Sequence, residues 1–255
     1  MSGKLYGVSV GPGNPGLITR QAWELLQSDA HWTYPIRNEK SDSYALDIVR
    51  RSELPLPENR TPLIFPMTHD KEKLTGYWLR AAETVLEILH RGEDALFLVE
   101  GDASTYATFC HLARTVSSID SSIEIQTIAG VSSFNAAAAD LNMPLADTDD
   151  TLAIVPAGYG VEMLDRLLAD FDTLVLLKVN SLLDQILDLL EARGLLETSA
   201  FIERAGTPEE RIVRDLNQLR GEKVNYLSLL LVHNDHRVRG PMVRGCGRRK
   251  EAKQV

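Results

Sequence analysis

Short apolar segments alternate with longer amphipathic ones along most of this chain. The apolar segments predict strands over 4–10, 30–34, 63–66, 95–100, 123–128, 151–155, 173–179, 200–204 and 226–233. Apolar residues at helical spacing predict helices over 19–28, 43–51, 70–91, 132–141, 161–169, 182–193 and 215–219, and one more that runs toward Val116. Alternating strands and helices are typical of an α/β fold. The almost wholly apolar run 95–100 predicts a strand covered on both faces.

A short polar stretch over 117–122 interrupts this pattern near the middle of the chain. We therefore expect one α/β lobe over 1–118 and a second over 119–236. From 237 to 255 the chain has seven basic residues, one acidic residue and three glycines, with almost nothing to bury. This composition predicts a basic, disordered tail.

Charge and composition narrow the classes of partner. The net charge is −9, and the basic tail leaves the preceding 236 residues at −15, which argues against broad nucleic-acid binding. No apolar run approaches the roughly 18–20 residues that cross a bilayer, and no signal-peptide core precedes the first strand. Cys110 and Cys246 lack the spacing of a disulfide framework or a CxxC motif. We expect a cytoplasmic protein without nucleic-acid or membrane partners.

Three glycine-containing loops follow predicted strands; we call 11–16 the first loop, 100–106 the second and 130–133 the third. The first loop satisfies GxGxxG, which suggests dinucleotide binding. Pro12 and Pro15, however, remove N–H donors that would hold a pyrophosphate. A simple chain-reversing turn is the other interpretation.

The second and third loops carry candidate chemistry. Glu100 and Asp102 flank Gly101 at the carboxyl end of the apolar strand, where open α/β sheets place ligands. A carboxylate there accepts a hydrogen bond or a proton; alternatively, Asp102 only caps the next helix. Ser132 and Ser133 either contact a ligand or serve as a plain N-cap.

Four motifs occur in order: Gly7-x-x-x-Gly11-Pro12-Gly13-x-Pro15-x-Leu17-x-Thr19, Gly101-Asp102, Gly130-Val131-Ser132-Ser133 and Glu203-Arg204-Ala205-x-x-Pro208-Glu209-Glu210. In this order, and over about residues 4 to 233, they resemble the tetrapyrrole methyltransferase family. The segments 65–67, 152–157, 176–179 and 226–230 are most similar to the branch that methylates carbon 20 of precorrin-2 or cobalt-precorrin-2 in cobalamin biosynthesis.

The resemblance implies a class III methyltransferase-like fold of two α/β lobes, in a homodimer, with S-adenosylmethionine in the cleft between them and S-adenosylhomocysteine as product. The cofactor contacts it implies are Pro12, Glu100, Gly101, Asp102, Thr105, Ser132, Ser133, Lys178, Ala205 and Ser228. Two positions depart from the family pattern. Ala103 stands where many relatives have proline, which predicts a less rigid second loop, and Asn14 stands where aspartate is common, which removes a charge.

The implied reaction needs positioning rather than a covalent nucleophile, because a sulfonium already activates the methyl group. The acceptor carbon loses a proton after methylation, and Asp102 and Glu100 are the candidate bases. Tyr106 is expected to orient the macrocycle. The candidate cations for the anionic substrate are Arg20, Arg37, Lys178 and Arg204.

Other interpretations stay open on the sequence. A sibling methyltransferase acting at another ring position is the main alternative; a nicotinamide-dependent oxidoreductase and a non-catalytic ligand-binding module are the others. His233-x-x-His236 has no third ligand in view, so we expect no metal site.

Overall fold

The computed structural model describes residues 2–68 and 70–240 of the protein. The first half forms a parallel sheet in the order β3-β2-β4-β1-β5. Its strands are β1 (Leu5–Ser9), β2 (His31–Ile36), β3 (Arg60–Ile64), β4 (Ala95–Val99) and β5 (Ile125–Ile128). The helices of this half are α1 (Arg20–Leu26), α2 (Tyr44–Arg50), α3 (Lys71–His90) and α4 (Phe109–Ile119).

Helices cover both faces of this sheet. Residues of α3 and α4 pack on one face, around Phe97 and Phe109, and residues of α1 and α2 pack on the other, around Trp32. Every residue of β4 is buried, as the apolar run predicted. Thr19 is the N-cap of α1 and accepts from the Ala22 N–H at 3.4 Å.

The second half forms a mixed sheet in the order β6-β7-β10-β8-β9, in which only β6 and β7 are parallel among the described strands. Its strands are β6 (Leu152–Pro156), β7 (Thr173–Leu177), β8 (Ser199–Glu203), β9 (Arg211–Val213) and β10 (Ser228–His233). One face packs on α6 (Val161–Asp170) and α7 (Leu183–Ala192). The short β9 was missed, and the predicted helix over 215–219 is a 3₁₀ turn, Leu216–Leu219.

The helix α5 (Ser133–Leu141) follows β5 but packs on the other face of the second sheet. Phe134, Ala137 and Leu141 lie against the apolar side chains of β7, β8 and β10, and the Leu141 carbonyl accepts from Arg214 at 2.6 Å. This helix therefore carries the chain from the first lobe into the second.

The predicted division after residue 118 is wrong for the strand that follows it. Residues 125–128 pair in parallel with β1, so β5 is the edge strand of the first sheet. The stretch 117–122 is the end of α4 and a turn rather than a hinge between lobes. A polar connection resembles a lobe boundary in sequence, whereas pairing with a strand more than 100 residues away decides the lobe.

The segment expected to begin a disordered tail is bound to the second lobe where the structure describes it. Arg237 and Arg239 form ion pairs with Asp172, which is 6% exposed, and Arg239 also pairs with Asp150. Thr151 donates its N–H and hydroxyl to Asp172, each at 2.8 Å. Residues 241–255 of the expected tail lie outside the described residues. Within the described ranges, no helix is long and apolar enough to span a membrane.

The contribution of the Asp172 ion pairs is tested by comparing a chain that ends at His236, and so lacks both arginines, with a control chain that ends at Gly240. We expect the shorter chain to lose about 1–3 kcal/mol of unfolding free energy at neutral pH, because Asp172 stays buried without its guanidinium partners. Burial raises the pKa of Asp172, but bonds from Thr151 and the arginines lower it to about 2. The stabilisation is therefore present above 3.8, the ordinary aspartate pKa, and is lost as the pH falls toward about 2. Equal urea midpoints at neutral pH would contradict the expectation.

Candidate active site

The three glycine-containing loops meet at the carboxyl ends of β1, β4 and β5. The Gly101 N–H donates to the Gly11 carbonyl at 2.7 Å, and the Gly11 N–H donates back at 3.3 Å. A Cβ on Gly130 would lie 2.3 Å from Ser9 Cβ and 2.7 Å from the Gly101 carbonyl oxygen. Only glycine permits this approach of the third loop to the second.

Ser9, the last residue of β1, was not singled out from the sequence, and it links the second loop to the last residue of β5. Its fully buried hydroxyl donates to the Ile128 carbonyl at 2.5 Å and accepts from the Ala103 N–H at 2.8 Å. Ala103 is itself fully buried. The expectation that alanine here gives a less rigid loop stays a prediction, although the Ala103 N–H makes a bond to Ser9 that a proline, which has no N–H, could not make.

The Asp102 carboxylate fastens the second loop to the third. It is 8% exposed and accepts from the Gly130 N–H at 2.8 Å, the Ser104 N–H at 2.9 Å, the Ser104 hydroxyl and the Thr105 hydroxyl at 3.2 Å. Burial raises the pKa of Asp102, but these hydrogen bonds outweigh burial and hold the pKa below its usual value. This environment favours a structural acceptor over a proton-transfer base.

Two contacts bring these loops against the second lobe. A Cβ on Gly13 would lie 2.5 Å from the Ala205 carbonyl oxygen, so the first loop touches the backbone that follows β8. On the other side, the Tyr106 hydroxyl donates to the Ile154 carbonyl of β6 at 3.0 Å. Tyr106 was expected to orient a macrocycle; this bond occupies its hydroxyl and leaves the ring to line the cleft.

Between the lobes lies a central cleft of about 150 Å³. All ten positions expected to contact a cofactor line it: Pro12, Glu100, Gly101, Asp102, Thr105, Ser132, Ser133, Lys178, Ala205 and Ser228. The cleft also has an apolar wall that was not predicted, which comprises Phe134, Leu177, Ile202, Leu227 and Leu229, together with Tyr226. Apolar residues on buried strands carry no signal that separates a cleft wall from a core.

Strained backbone concentrates at this cleft. Six non-glycine residues in the described ranges have positive φ, and Tyr106 (51°), Lys178 (59°) and Arg204 (53°) are the three that line the cleft. The N–H groups of Lys178 and Arg204 donate to the carbonyls of Ser228 and Leu227, at 3.0 and 2.7 Å. Residues kept in this region despite its energetic cost are typical of functional sites.

Glu100 differs from its neighbour Asp102. Its side chain is only partly buried, and no residue that the structure describes donates to its carboxylate or forms an ion pair with it. Burial raises the pKa of Glu100 to about 7.

Two further polar groups of the cleft have unused hydrogen-bonding capacity. The Ser228 hydroxyl is buried and has no partner among the described residues. Ser132, 9% exposed, is the N-cap of α5, yet its side chain makes no capping bond. A buried polar group without a partner is unfavourable unless a ligand or water pairs with it, so both point to a polar ligand.

Two larger cavities adjoin the cleft and share Glu100 and Leu227 with it. The polar cavity, about 530 Å³, is bounded by Arg37, Asn38, Ser41, Asp47, Arg51 and Thr207. The aromatic cavity, about 460 Å³, is bounded by Tyr44, Phe65, Met67, Phe97, Tyr106 and Tyr226.

Three of the four expected substrate cations reach these spaces. Lys178 lines the cleft and the aromatic cavity, with Nζ 5.6 Å from the centre of the Tyr226 ring. Arg204 lines the cleft and the polar cavity, and Arg37 lines both larger cavities. Arg20 is not placed there: its side chain is 91% exposed and pairs with Glu24, one turn along α1. Proximity to a glycine loop in sequence did not place it in the cleft.

The fold and cleft define a two-lobed α/β protein that binds a small molecule between its lobes. Residues 4–219 match the family of Tetrapyrrole (Corrin/Porphyrin) Methylases, and the chain belongs to that family. The assignment agrees with the geometry of the first loop, which does not form a dinucleotide-binding loop. Pro12 offers no N–H, Asn14 accepts from the Gly16 N–H at 2.8 Å, and α1 begins only at Arg20.

Two curated relatives cover nearly the whole chain. A probable cobalt-precorrin-2 C(20)-methyltransferase of Methanocaldococcus jannaschii is 31% identical over 90% of this chain and 95% of its own. The cobalt-precorrin-2 C(20)-methyltransferase of Salmonella typhimurium is 32% identical over 91% of this chain and 97% of its own.

Solved structures of more distant proteins share the fold. The cobalt precorrin-4 methyltransferase CbiF superposes with a TM-score of 0.66 at 22% identity, over 90% of this chain and 94% of its own. Uroporphyrin-III C-methyltransferase of Thermus thermophilus, solved with S-adenosyl homocysteine, superposes with a TM-score of 0.58 at 22% identity, over 91% of this chain and 97% of its own.

The variant Asp102→Asn tests the link between the second and third loops. We expect it to unfold about 1–3 kcal/mol more easily at neutral pH, because an amide cannot accept all the hydrogen bonds that the two carboxylate oxygens accept. Because the pKa of Asp102 is lowered, the difference should shrink as the pH falls below 3.8, the ordinary value. Chemical unfolding measures both effects.

Ser104→Ala is the matched control, since it removes one local bond to the same carboxylate and keeps the Gly130 bond. If Asp102→Asn unfolds no more easily than Ser104→Ala, the carboxylate does not hold the loops together.

Proposed function

We propose that this protein transfers a methyl group from S-adenosylmethionine to carbon 20 of precorrin-2 or cobalt-precorrin-2, as an enzyme of cobalamin biosynthesis. Relatives with these names at 31% and 32% identity, covered almost end to end, support the reaction. The single observation that carries it at the level of the site is the convergence of all ten expected cofactor positions on one cleft between the lobes.

The cleft is suited to a cofactor with a polar end and a flat heterocycle. The Ser228 hydroxyl and the free amino end of α5 at Ser132 and Ser133 offer unsatisfied donors, and Leu177, Ile202 and Leu229 offer an apolar wall. We assign cofactor binding to these groups and to Pro12, Gly101, Asp102, Thr105, Lys178 and Ala205. When bound, S-adenosylmethionine supplies a methyl group already activated by a sulfonium.

The chain's own contribution is then positioning. Holding reacting groups in line can contribute roughly 7–11 kcal/mol to lowering a barrier. The hydrogen bonds of Asp102 and the bridge between Gly11 and Gly101 fix the loops that would present the methyl group. Asp102 acts in this proposal by holding the loops, and the Tyr106 ring forms a wall against which a macrocycle rests.

A polycarboxylate substrate needs local positive charge on a chain whose net charge is −9. Lys178, Arg204 and Arg37 supply it on the walls of the cleft and its two neighbouring cavities. The aromatic cavity offers Phe65, Met67 and Phe97 to the apolar faces of the ring. The macrocycle therefore lies over the aromatic cavity, with its carboxylates toward these three cations.

We also propose a cytoplasmic homodimer, as the family resemblance implies. The edge strand β6, whose Leu152, Ala153 and Ile154 are only partly buried, supports a contact between two copies at this side of the second sheet. Sedimentation of the purified protein at micromolar concentration tests the dimer.

Mass spectrometry of the purified protein with labelled S-adenosylmethionine and precorrin-2, with and without cobalt, tests the reaction. We expect one labelled methyl group on the macrocycle, at carbon 20. Labelling at another ring carbon would assign the protein to a sibling activity, and cofactor binding without turnover would make it a ligand-binding module.

Substitution of Lys178 by methionine tests the substrate cations. We expect KM for the tetrapyrrole to rise about tenfold, because a charge-assisted bond to a carboxylate contributes roughly 1.5 kcal/mol or more. Arg20→Gln is the control: it removes a fully solvated cation outside the cleft and should leave KM unchanged. Equal KM values for the two variants would remove Lys178 from substrate binding.

A further inference from the structure

We infer that Glu100 is the catalytic base that removes the proton from the methylated carbon, and that Asp102 is not. This inference rests on the proposed function, which it deepens by assigning the proton-transfer step to one of two adjacent carboxyl groups. Among the residues that the structure describes, Glu100 is the one titratable residue shared by the linings of the central cleft, the polar cavity and the aromatic cavity.

That position matters because the proton must leave from between cofactor and substrate. The cleft holds the candidate cofactor residues, and the other two cavities hold the candidate substrate residues. Asp102 lines only the first of the three. A base must be able to reach the acceptor carbon, which would lie where the three spaces join, and Glu100 stands at this junction.

Hydrogen bonding separates the two carboxyl groups further. Both oxygens of Asp102 accept from loop groups, so its carboxylate is engaged in holding the structure. Among the described residues none donates to Glu100. Glu100 is therefore free to accept a proton without breaking the contact between loops, and its raised pKa makes it a stronger base than an ordinary glutamate.

Charged groups around Glu100 bear on its titration. The cations that line the same cavities, each of which favours its ionised form, are Arg37, Arg50, Arg51, Lys178 and Arg204. The acids there, which disfavour it, are Asp42, Asp47, Asp102 and Glu209, and the neutral tyrosines are Tyr44, Tyr106 and Tyr226. None of these bonds directly to Glu100, and burial is the dominant cause of its raised pKa.

The step balances without any further reagent. After methyl transfer, the acceptor carbon carries the new methyl group and its original hydrogen, and the macrocycle carries one positive charge. A Glu100 carboxylate oxygen forms a bond to that hydrogen as the carbon–hydrogen bond breaks. The released electron pair restores the conjugation of the macrocycle, and the neutral glutamic acid returns its proton to solvent.

The test is the pH dependence of methylation by Glu100→Gln. For the wild type we expect kcat/KM to rise with pH through about 7, because Glu100 must be ionised to act. The variant should lose this rise and, at about pH 8, lose about 100-fold or more in rate, the size typical of a removed general base. Glu93→Gln is the matched control: Glu93 precedes the same strand at its opposite end and pairs on the surface with Arg91, so its removal should leave the profile unchanged.

A second readout is independent of turnover. Because the pKa of Glu100 is raised on folding, its ionisation disfavours the folded state increasingly as pH rises from 4.5, the ordinary value, through about 7. Glu100→Gln should therefore raise the melting temperature relative to wild type more at about pH 8 than at about pH 5. Glu93→Gln should instead lower the melting temperature, since the pKa of Glu93 is lowered by the Arg91 hydrogen bond.

Calorimetry with S-adenosylhomocysteine separates the possible failures. Normal binding by Glu100→Gln together with lost turnover supports the inference. A variant that keeps the wild-type rate and pH profile overturns it and leaves the proposed function standing. Loss of S-adenosylhomocysteine binding also overturns it, because the carboxylate would then belong to the cofactor site. If the wild type binds S-adenosylhomocysteine but methylates no tetrapyrrole, the proposed function fails, and the inference fails with it whatever the melting data show.

Discussion

Close backbone packing at the carboxyl ends of the first sheet is the constraint on which the rest of the site depends. Gly130 lies so near Ser9 and the Gly101 carbonyl that no side chain fits, and Gly13 lies equally near the Ala205 carbonyl in the other lobe. These approaches bring three loops and a segment of the second lobe within reach of one small molecule. Buried hydrogen bonds of Ser9 and Asp102 then hold the loops in place, because a closely packed protein interior leaves little room for them to move.

The same packing gives two adjacent carboxyl groups opposite properties. Asp102 faces inward, where N–H and hydroxyl groups surround it and lower its pKa. Glu100 lies two residues earlier with no donor among the described residues, and burial raises its pKa. Residues so close in sequence differ because one side chain points into a loop and the other lies where three cavities meet. Environments that push the pKa values of two nearby carboxyl groups apart suit the two groups to different roles.

The second lobe supplies cationic side chains and strained backbone to the cleft. Lys178 and Arg204 follow β7 and β8, and both are held at positive φ by N–H bonds to the carbonyls of the 226–228 segment. Their backbone conformation sets where the cationic side chains begin. A chain with a strongly acidic overall balance thus keeps positive charge on the walls of its cleft, where an anionic ligand needs it.

The sequence by itself determined the α/β alternation and the wholly buried β4, because apolar periodicity is a local signal. The ten residues that line the cleft were expected from the resemblance of the ordered loop motifs to a known family. The sequence did not determine that β5 joins the first sheet, that α5 crosses to the second, or that Arg237 and Arg239 bind Asp172. Nor did it distinguish Arg20 from Arg37, or Asp102 from Glu100. Those outcomes depend on contacts between residues distant in the chain, and strand pairing, burial and hydrogen-bond partners exist only once the tertiary structure has formed.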